Sequence, residues 1–224
     1  MDQLEQITAL IALTMGVGWA SGINLYATIL MLGLMANMGH LQLPAGLDVV
    51  ADPMVLMAAG FMYCVEFFAD KIPGVDTGWD ALHTFIRIPA GAALAAGAVG
   101  DMNEAVIVAA ALVGGSLSAT SHALKAGGRV MINTSPEPVT NWTASVAEDL
   151  AVFGGLWAAL NHPVAFLIAL VLFIALVIWL LPKIWRGVKK VFAFLVRLFG
   201  GRDDSTQINE NNNALPHQNG RFKN

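Results

Sequence analysis

Long apolar runs separated by short polar stretches set the pattern of this chain. Residues 4–38 are apolar with one interruption, Gly18-Trp-Ala-Ser-Gly-Ile-Asn24. A continuous helix of that length would span ~50 Å against a hydrocarbon core of ~30 Å. Two readings of this first helix follow. In one it is a long rod whose glycines serve close packing, with Asn24 hydrogen-bonding a neighbouring helix. In the other it breaks at the glycines, and protein or a cavity must cover the freed backbone groups. Residues 39–52 read as a loop. Asp52 and Pro53 supply a cap and a first-turn proline for a second helix running to about Ala69. Pro73-Gly74 stops it, and a third helix runs from about Thr77 to Val99. A fourth helix covers roughly 105–125 and a fifth roughly 141–160, while 163–181 is an unbroken apolar segment. The expected fold is an all-α, polytopic helical membrane protein with about six transmembrane helices in residues 1–182.

Beyond residue 182 the pattern changes. In 183–199, Lys183, Arg186, Lys189, Lys190 and Arg197 fall within about one third of a helical wheel, with Trp185 and other apolar residues around the rest. This reads as a basic amphipathic helix lying at the membrane interface on anionic lipids. A cytosolic helix that docks a partner is the other reading. Residues 200–224 are polar, Asn-rich and aperiodic, and read as a disordered cytoplasmic tail.

Composition supports a bilayer protein. The chain is 56% hydrophobic and 12% charged, with a mean hydropathy of +0.63; soluble domains carry about 25% charged residues. The single cysteine, Cys64, excludes an intrachain disulfide framework or a Cys-based metal site. The N-terminus has no basic n-region, so no cleavable signal peptide is expected. All 12 Lys and Arg residues fall on or near one side of a six-helix arrangement, and the loops 39–52, 100–104 and 161–162 have none. Basic residues favour the cytoplasmic side, which places both termini in the cytoplasm. Topology accounts for the basic groups, which argues against nucleic-acid binding.

The remaining charges carry the candidate chemistry. Glu66 and Asp70 share a helix face; Asp80, His83 and Arg87 line another; Ser118, His122 and Lys125 a third; Asn141, Ser145 and Glu148 a fourth. A charge at mid-bilayer costs ~2.5–3.5 kcal/mol on insertion scales, so these stripes should face one another or a wet cavity. The expected polar site comprises Asn24, Glu66, Asp70, Lys71, Asp76, Asp80, His83, Arg87, His122, Lys125, Arg129, Ser135, Glu137, Asn141, Glu148 and Asp149. His83, His122 and Asp80 could ligate a metal, though no fixed ligand spacing supports it. Arg87, Lys125 and Arg129 could hold a phosphate or carboxylate. No motif activates Ser118, Ser121 or Ser135 as a nucleophile, and no cofactor is specified.

The two polar stretches also look related. Each follows a helix read as ending in a Lys (Lys71, Lys125), and each has a Trp (Trp79, Trp142), an Ala two residues on (Ala81, Ala144) and a Gly ten further (Gly91, Gly154). On that reading the second loop is nine residues longer. A two-helix repeat with a site at its interface is a transporter pattern.

Several motifs resemble a known family. They are Ser21-Gly-Ile-Asn-Leu-Tyr26, Glu66-Phe-Phe-Ala-Asp-Lys-Ile-Pro-Gly-Val-Asp76, Trp79-Asp-Ala-Leu-His-Thr84, and Ser135-Pro-Glu-Pro138 followed by Asn141. Over roughly residues 15–155 the chain resembles the bacterial multi-pass membrane family catalogued as domain of unknown function 4126. The resemblance implies the bacterial inner membrane and brings no activity. The sequence thus points to a small-solute or ion transporter or channel with a polar cavity open to the cytoplasm. Its alternatives are a non-transporting scaffold or anionic-lipid-headgroup binder and, third, a membrane-embedded lipid-phosphate enzyme.

Overall fold

A computed structural model describes residues 3–134 and 138–199. The described residues form six α-helices: α1 (Gln3–Asn37), α2 (Pro53–Ala69), α3 (Val75–Ala98), α4 (Glu104–Ile132), α5 (Pro138–Asn161) and α6 (Pro163–Phe199). A short 3-10 helix, Ala45–Ala51, leads into α2. By contacts the chain divides into two units, Met1–Val188 and Lys189–Asn224.

Burial differs from that of a water-soluble protein: beside an apolar core that includes Leu32 and Leu156, charged side chains lie inside and large apolar ones outside. Arg87, Arg129, Glu66 and Asp76 are among the largest fully buried side chains, whereas Met57, Phe61, Phe85, Leu112, Leu172 and Ile178 are exposed. In lipid, exposed apolar side chains are favourable and charged ones are driven inward to pair with one another. Among the described residues, three helices are long and apolar enough to cross a membrane: α1, α4 and residues Pro163–Phe194 of α6. The 3-10 helix and α2, bent by 64° at Asp52, make a fourth if counted as one span. The other two helices, α3 and α5, have 24 residues each, or ~36 Å, which is long enough to span. They carry the charges that lower their hydropathy.

The centre of the bundle is α1, which packs against α2, α3, α4 and α5. Small residues permit close approach. A Cβ on Gly18 would lie 2.6 Å from Gly114 Cα, and one on Gly22 would lie 2.2 Å from the Ser118 carbonyl oxygen. Those glycines therefore serve packing, and the break falls at Asn24, whose backbone (φ −148°, ψ 99°) is the non-helical point inside α1. Its side chain restarts the helix as an N-cap: Asn24 Oδ1 accepts from the Ala27 N–H at 2.9 Å. On the flank facing α6, Trp19 meets Phe166 and Phe173 edge-on.

Some boundaries agree with the sequence reading. Asp52 Oδ1 accepts from the Met54 N–H at 2.7 Å with Pro53 at the first helical position. Others are corrected. The fourth helix runs to Ile132 rather than 125. Lys125 and Arg129 lie on one helical face in the interior, and Gly127 makes room for Ile184 of α6. The third and fifth helices also start earlier, at Val75 and Pro138. The loop-length difference expected in the repeat disappears: five residues separate each helix pair, and Trp79 and Trp142 are each the fifth residue of a 24-residue helix. A constant offset of 63 residues aligns Pro73 with Pro136, Thr77 with Thr140, and Ala95-Ala96 with Ala158-Ala159. Finally, 183–199 is helical, with no break from the segment before it. It continues α6 through Pro182. The expected tail, 200–224, lies outside the described residues.

Candidate functional site

The charged stripes of α2, α3, α4 and α5 meet in one buried network. Glu66 and Asp70, one turn apart at the end of α2, face inward together. Arg87, midway along α3, spans two acids: Nη2 donates to Glu66 Oε1 at 2.7 Å and Nη1 to Asp80 Oδ1 at 3.0 Å. Arg129 of α4 donates to Glu148 Oε2 at 2.6 Å, to the Asp70 carbonyl at 3.0 Å and to Asn141 Oδ1 at 2.9 Å. Between the two arginines lies Lys125. Its ammonium is 2.8 Å from Asp70 Oδ2, 3.2 Å from Glu66 Oε1, 3.5 Å from Glu148 Oε2 and 3.8 Å from Asp80 Oδ1. It also donates to the Ile23 carbonyl at 3.2 Å.

These side chains are at most 4% exposed, except Glu148 at 21%. Taken as ionised, four carboxylates (Glu66, Asp70, Asp80, Glu148) face three cations (Arg87, Lys125, Arg129), a formal excess of one negative charge. Pairing does not use every polar atom. Glu66 Oε2, Asp70 Oδ1, Asp80 Oδ2, Arg87 Nε and Arg129 Nε are buried without a hydrogen-bond partner among the described residues. Such groups are costly in a low-dielectric interior.

A second layer holds this core. Asn24 Nδ2 and the Tyr63 hydroxyl both donate to the Asp149 carboxylate, at 3.0 and 3.2 Å. Asp76 accepts from the Gly74 and Thr77 amides and from Asn133 Nδ2, so it orders the α2–α3 turn. Gly74 has φ +86° there, a conformation that favours glycine. Lys71 sits over the Phe67 ring and donates to Ser145 Oγ at 3.4 Å.

The histidines are committed elsewhere. Nδ1 of His122 accepts from Arg87 Nη1 at 3.1 Å. The Thr84 hydroxyl donates to the Asp80 carbonyl, so His122 Nε2 is the donor to Thr84 at 2.8 Å. His83 stacks on Trp79 and donates from Nδ1 to the Trp79 carbonyl, leaving Nε2 to accept from the Tyr26 hydroxyl. The metal set His83, His122 and Asp80 is therefore not assembled; among the described residues no three His, Cys, Asp or Glu side chains are placed to hold a metal. The hydroxyls of Ser118 and Ser121 donate to the Arg87 and Trp19 carbonyls, which gives neither a general base.

Of the expected residues, Glu66, Asp70, Asp80, Arg87, His122, Lys125, Arg129 and Glu148 form the core. Asn24, Lys71, Asp76, His83, Asn141 and Asp149 surround it, and Ser135 and Glu137 lie outside the described residues. Sequence reasoning missed Tyr26, Tyr63, Thr84 and Asn133. Tyr63 carried one signal, because it precedes Glu66 by a single helical turn. The open space beside the charges is a cavity of about 270 Å³ with Lys125, Arg129 and Glu148 on its polar side and Ile23, Ala151 and Phe173 on its apolar side. Of the expected site residues only Lys125, Arg129 and Glu148 line it.

A family profile described as "Domain of unknown function (DUF4126)" matches residues 11–183. The chain belongs to this family. The matched region contains the whole charged network and reaches through most of α6, well past the residue-155 limit read from the motifs. No curated protein and no solved structure matches the chain.

Proposed function

We propose that this member of the family is a transporter or channel for a small solute or ion, with the Glu66–Asp70–Asp80–Arg87–Lys125–Arg129–Glu148 network as its binding site. The observation that carries this reading is the Lys125 ammonium, shared by four carboxylates and by a carbonyl at the α1 break. Ionisable groups inside membrane spans commonly mark ion and proton pathways. Broken helices at the interface of repeated helix pairs are a recurrent way to build such sites. The sorting of basic residues supports an orientation with both termini cytoplasmic, in what we propose is a bacterial inner membrane. The basic residues Lys183 to Arg197, with Trp185, are proposed to rest on anionic lipid. The test is flux into proteoliposomes loaded with a panel of small ions and solutes, comparing wild type with Arg87→Gln. Substrate-dependent flux lost in the variant is expected. Absence of flux for the whole panel, in protein shown to be folded, refutes the reading.

A scaffold role is the second reading, favoured by the extent of mutual pairing in the network. It expects the same variants to lose stability without any associated flux.

A further inference from the structure

The strongest unassigned feature is the oxygen shell around Lys125. Five oxygens from α1, α2, α3 and α5 surround an ammonium that comes from α4. Two of them, Asp70 Oδ2 and Glu66 Oε1, lie at hydrogen-bonding distance, as does the Ile23 carbonyl oxygen; Glu148 Oε2 at 3.5 Å and Asp80 Oδ1 at 3.8 Å complete the shell. The three shorter distances, 2.8–3.2 Å, are those at which oxygens hold an ammonium-sized ion, and the two longer ones add charge rather than a direct bond. Calcium takes ~2.3–2.6 Å and magnesium ~2.0–2.1 Å, so neither fits without contraction of the shell.

We propose that this shell is an exchangeable site for an ammonium-sized monovalent cation (ammonium itself, a primary alkylammonium or potassium) and that Lys125 is its tethered occupant. The inference rests on the transport reading and supplies its substrate class.

Three further observations support the site. The first is the carbonyl. The Ala27 N–H donates to Asn24 Oδ1, and the Ile23 carbonyl, which an unbroken helix would aim at Ala27, turns its oxygen to the cation. A half-helix C-terminal carbonyl aimed at a cation is a recurrent element of ion sites in broken-helix transporters. The second is the set of unpartnered oxygens. Glu66 Oε2, Asp70 Oδ1 and Asp80 Oδ2 are buried on three of the four carboxylates that face Lys125. Those carboxylates therefore hold more acceptor capacity than one ammonium uses. The third is charge and space. With the lysine withdrawn, four carboxylates face only Arg87 and Arg129, which favours entry of another cation. The cavity that Lys125, Arg129 and Glu148 border leaves room for the flexible lysine stem to move aside.

The test compares wild type with Lys125→Ala in detergent. Each is titrated with ammonium, methylammonium and potassium chloride, with sodium and choline chloride at matched ionic strength as references. A ligand bound only by the folded state raises the melting temperature saturably. The variant is expected to respond to at least one of the first three cations beyond the choline reference. Wild type should need about tenfold more of it or higher, because the tethered ammonium competes at a high effective concentration. The relative responses to ammonium, methylammonium and potassium identify the cation. A folded variant that responds to none of them beyond choline overturns the proposal.

Should Lys125→Ala not yield monodisperse protein, wild type decides. Its melting temperature should rise saturably at high concentrations of at least one of ammonium, methylammonium and potassium chloride relative to choline chloride; no rise with any of the three overturns the proposal. Flux separates the two readings. Cation binding by Lys125→Ala with no flux of any panel member defeats transport and keeps the site. Flux of an anion or neutral solute with no cation binding defeats the site and keeps transport.

Discussion

Lys125 Nζ lies 3.2 Å from the carbonyl oxygen of Ile23, the residue directly before the break of α1. The two are 102 residues apart in sequence. A helix end on α1 and a cation on α4 thus stabilise each other, and the break and the charge network form one unit.

That coupling makes Asn24 a testable hinge. Asn24→Ala removes the cap on Ala27 and the bond to Asp149. Loss of a cap and of a hydrogen bond to a charged group should lower stability by ~1–3 kcal/mol, read as a lower melting temperature. An unchanged melting temperature would show that the break is held without this side chain.

Arg87 and Glu66 form a pair of fully buried side chains at 2.7 Å. Arg87→Met leaves Glu66 and Asp80 with less compensation and should destabilise by ~3–5 kcal/mol. The double variant Arg87→Met, Glu66→Gln should recover part of that loss. A denaturation-based double-mutant cycle measures the coupling, and strict additivity would contradict the pairing.

The glycines divide by position. Gly22→Ala drives a methyl to 2.2 Å from the Ser118 backbone oxygen and should cost ~1–3 kcal/mol through overpacking. Gly154→Ala meets nothing within 4 Å and should be neutral, or stabilising by up to ~1 kcal/mol from helix propensity. Equal effects at the two sites would contradict the packing of α1 on α4.

Topology has its own check. In a Cys64→Ser background, His40→Cys and Ile72→Cys report the two ends of α2, both at exposed positions. With cytoplasmic termini, an impermeant thiol reagent added to intact cells should label only the first. Labelling of the second alone would reverse the orientation.

What was legible in the sequence follows the range of the forces involved. Asp52-Pro53 marked the start of α2 because a cap acts within one turn. The stripe Asp80–Arg87 was readable because helix periodicity is local. The end of α4 was misread because Lys125 and Arg129 look like loop residues until their partners are known. Those partners, Glu66, Asp70 and Glu148, come from other helices. The α1 break was ambiguous for a related reason: Gly18, Gly22 and Asn24 all allow one, and only the facing residues Gly114, Ser118 and Asp149 decide which of them packs and which bends. Continuity of α6 through Pro182 was hidden because a proline followed by basic residues resembles a boundary.

The order of charges along the chain bears on how the protein enters the membrane. When α3 has left the ribosome, the emerging network holds Glu66, Asp70 and Asp80 against Arg87 alone, a balance of −2. Synthesis of α4 adds Lys125 and Arg129 and brings the sum to zero, and α5 returns it to −1 with Glu148. The hairpin of α2 and α3 is therefore a poor candidate for release into lipid by itself. It becomes electrically acceptable only in the company of α4, so the first three helices are expected to stay with the insertion machinery until the fourth arrives. On that charge balance, biogenesis of this bundle is expected to proceed by cohorts rather than by single spans.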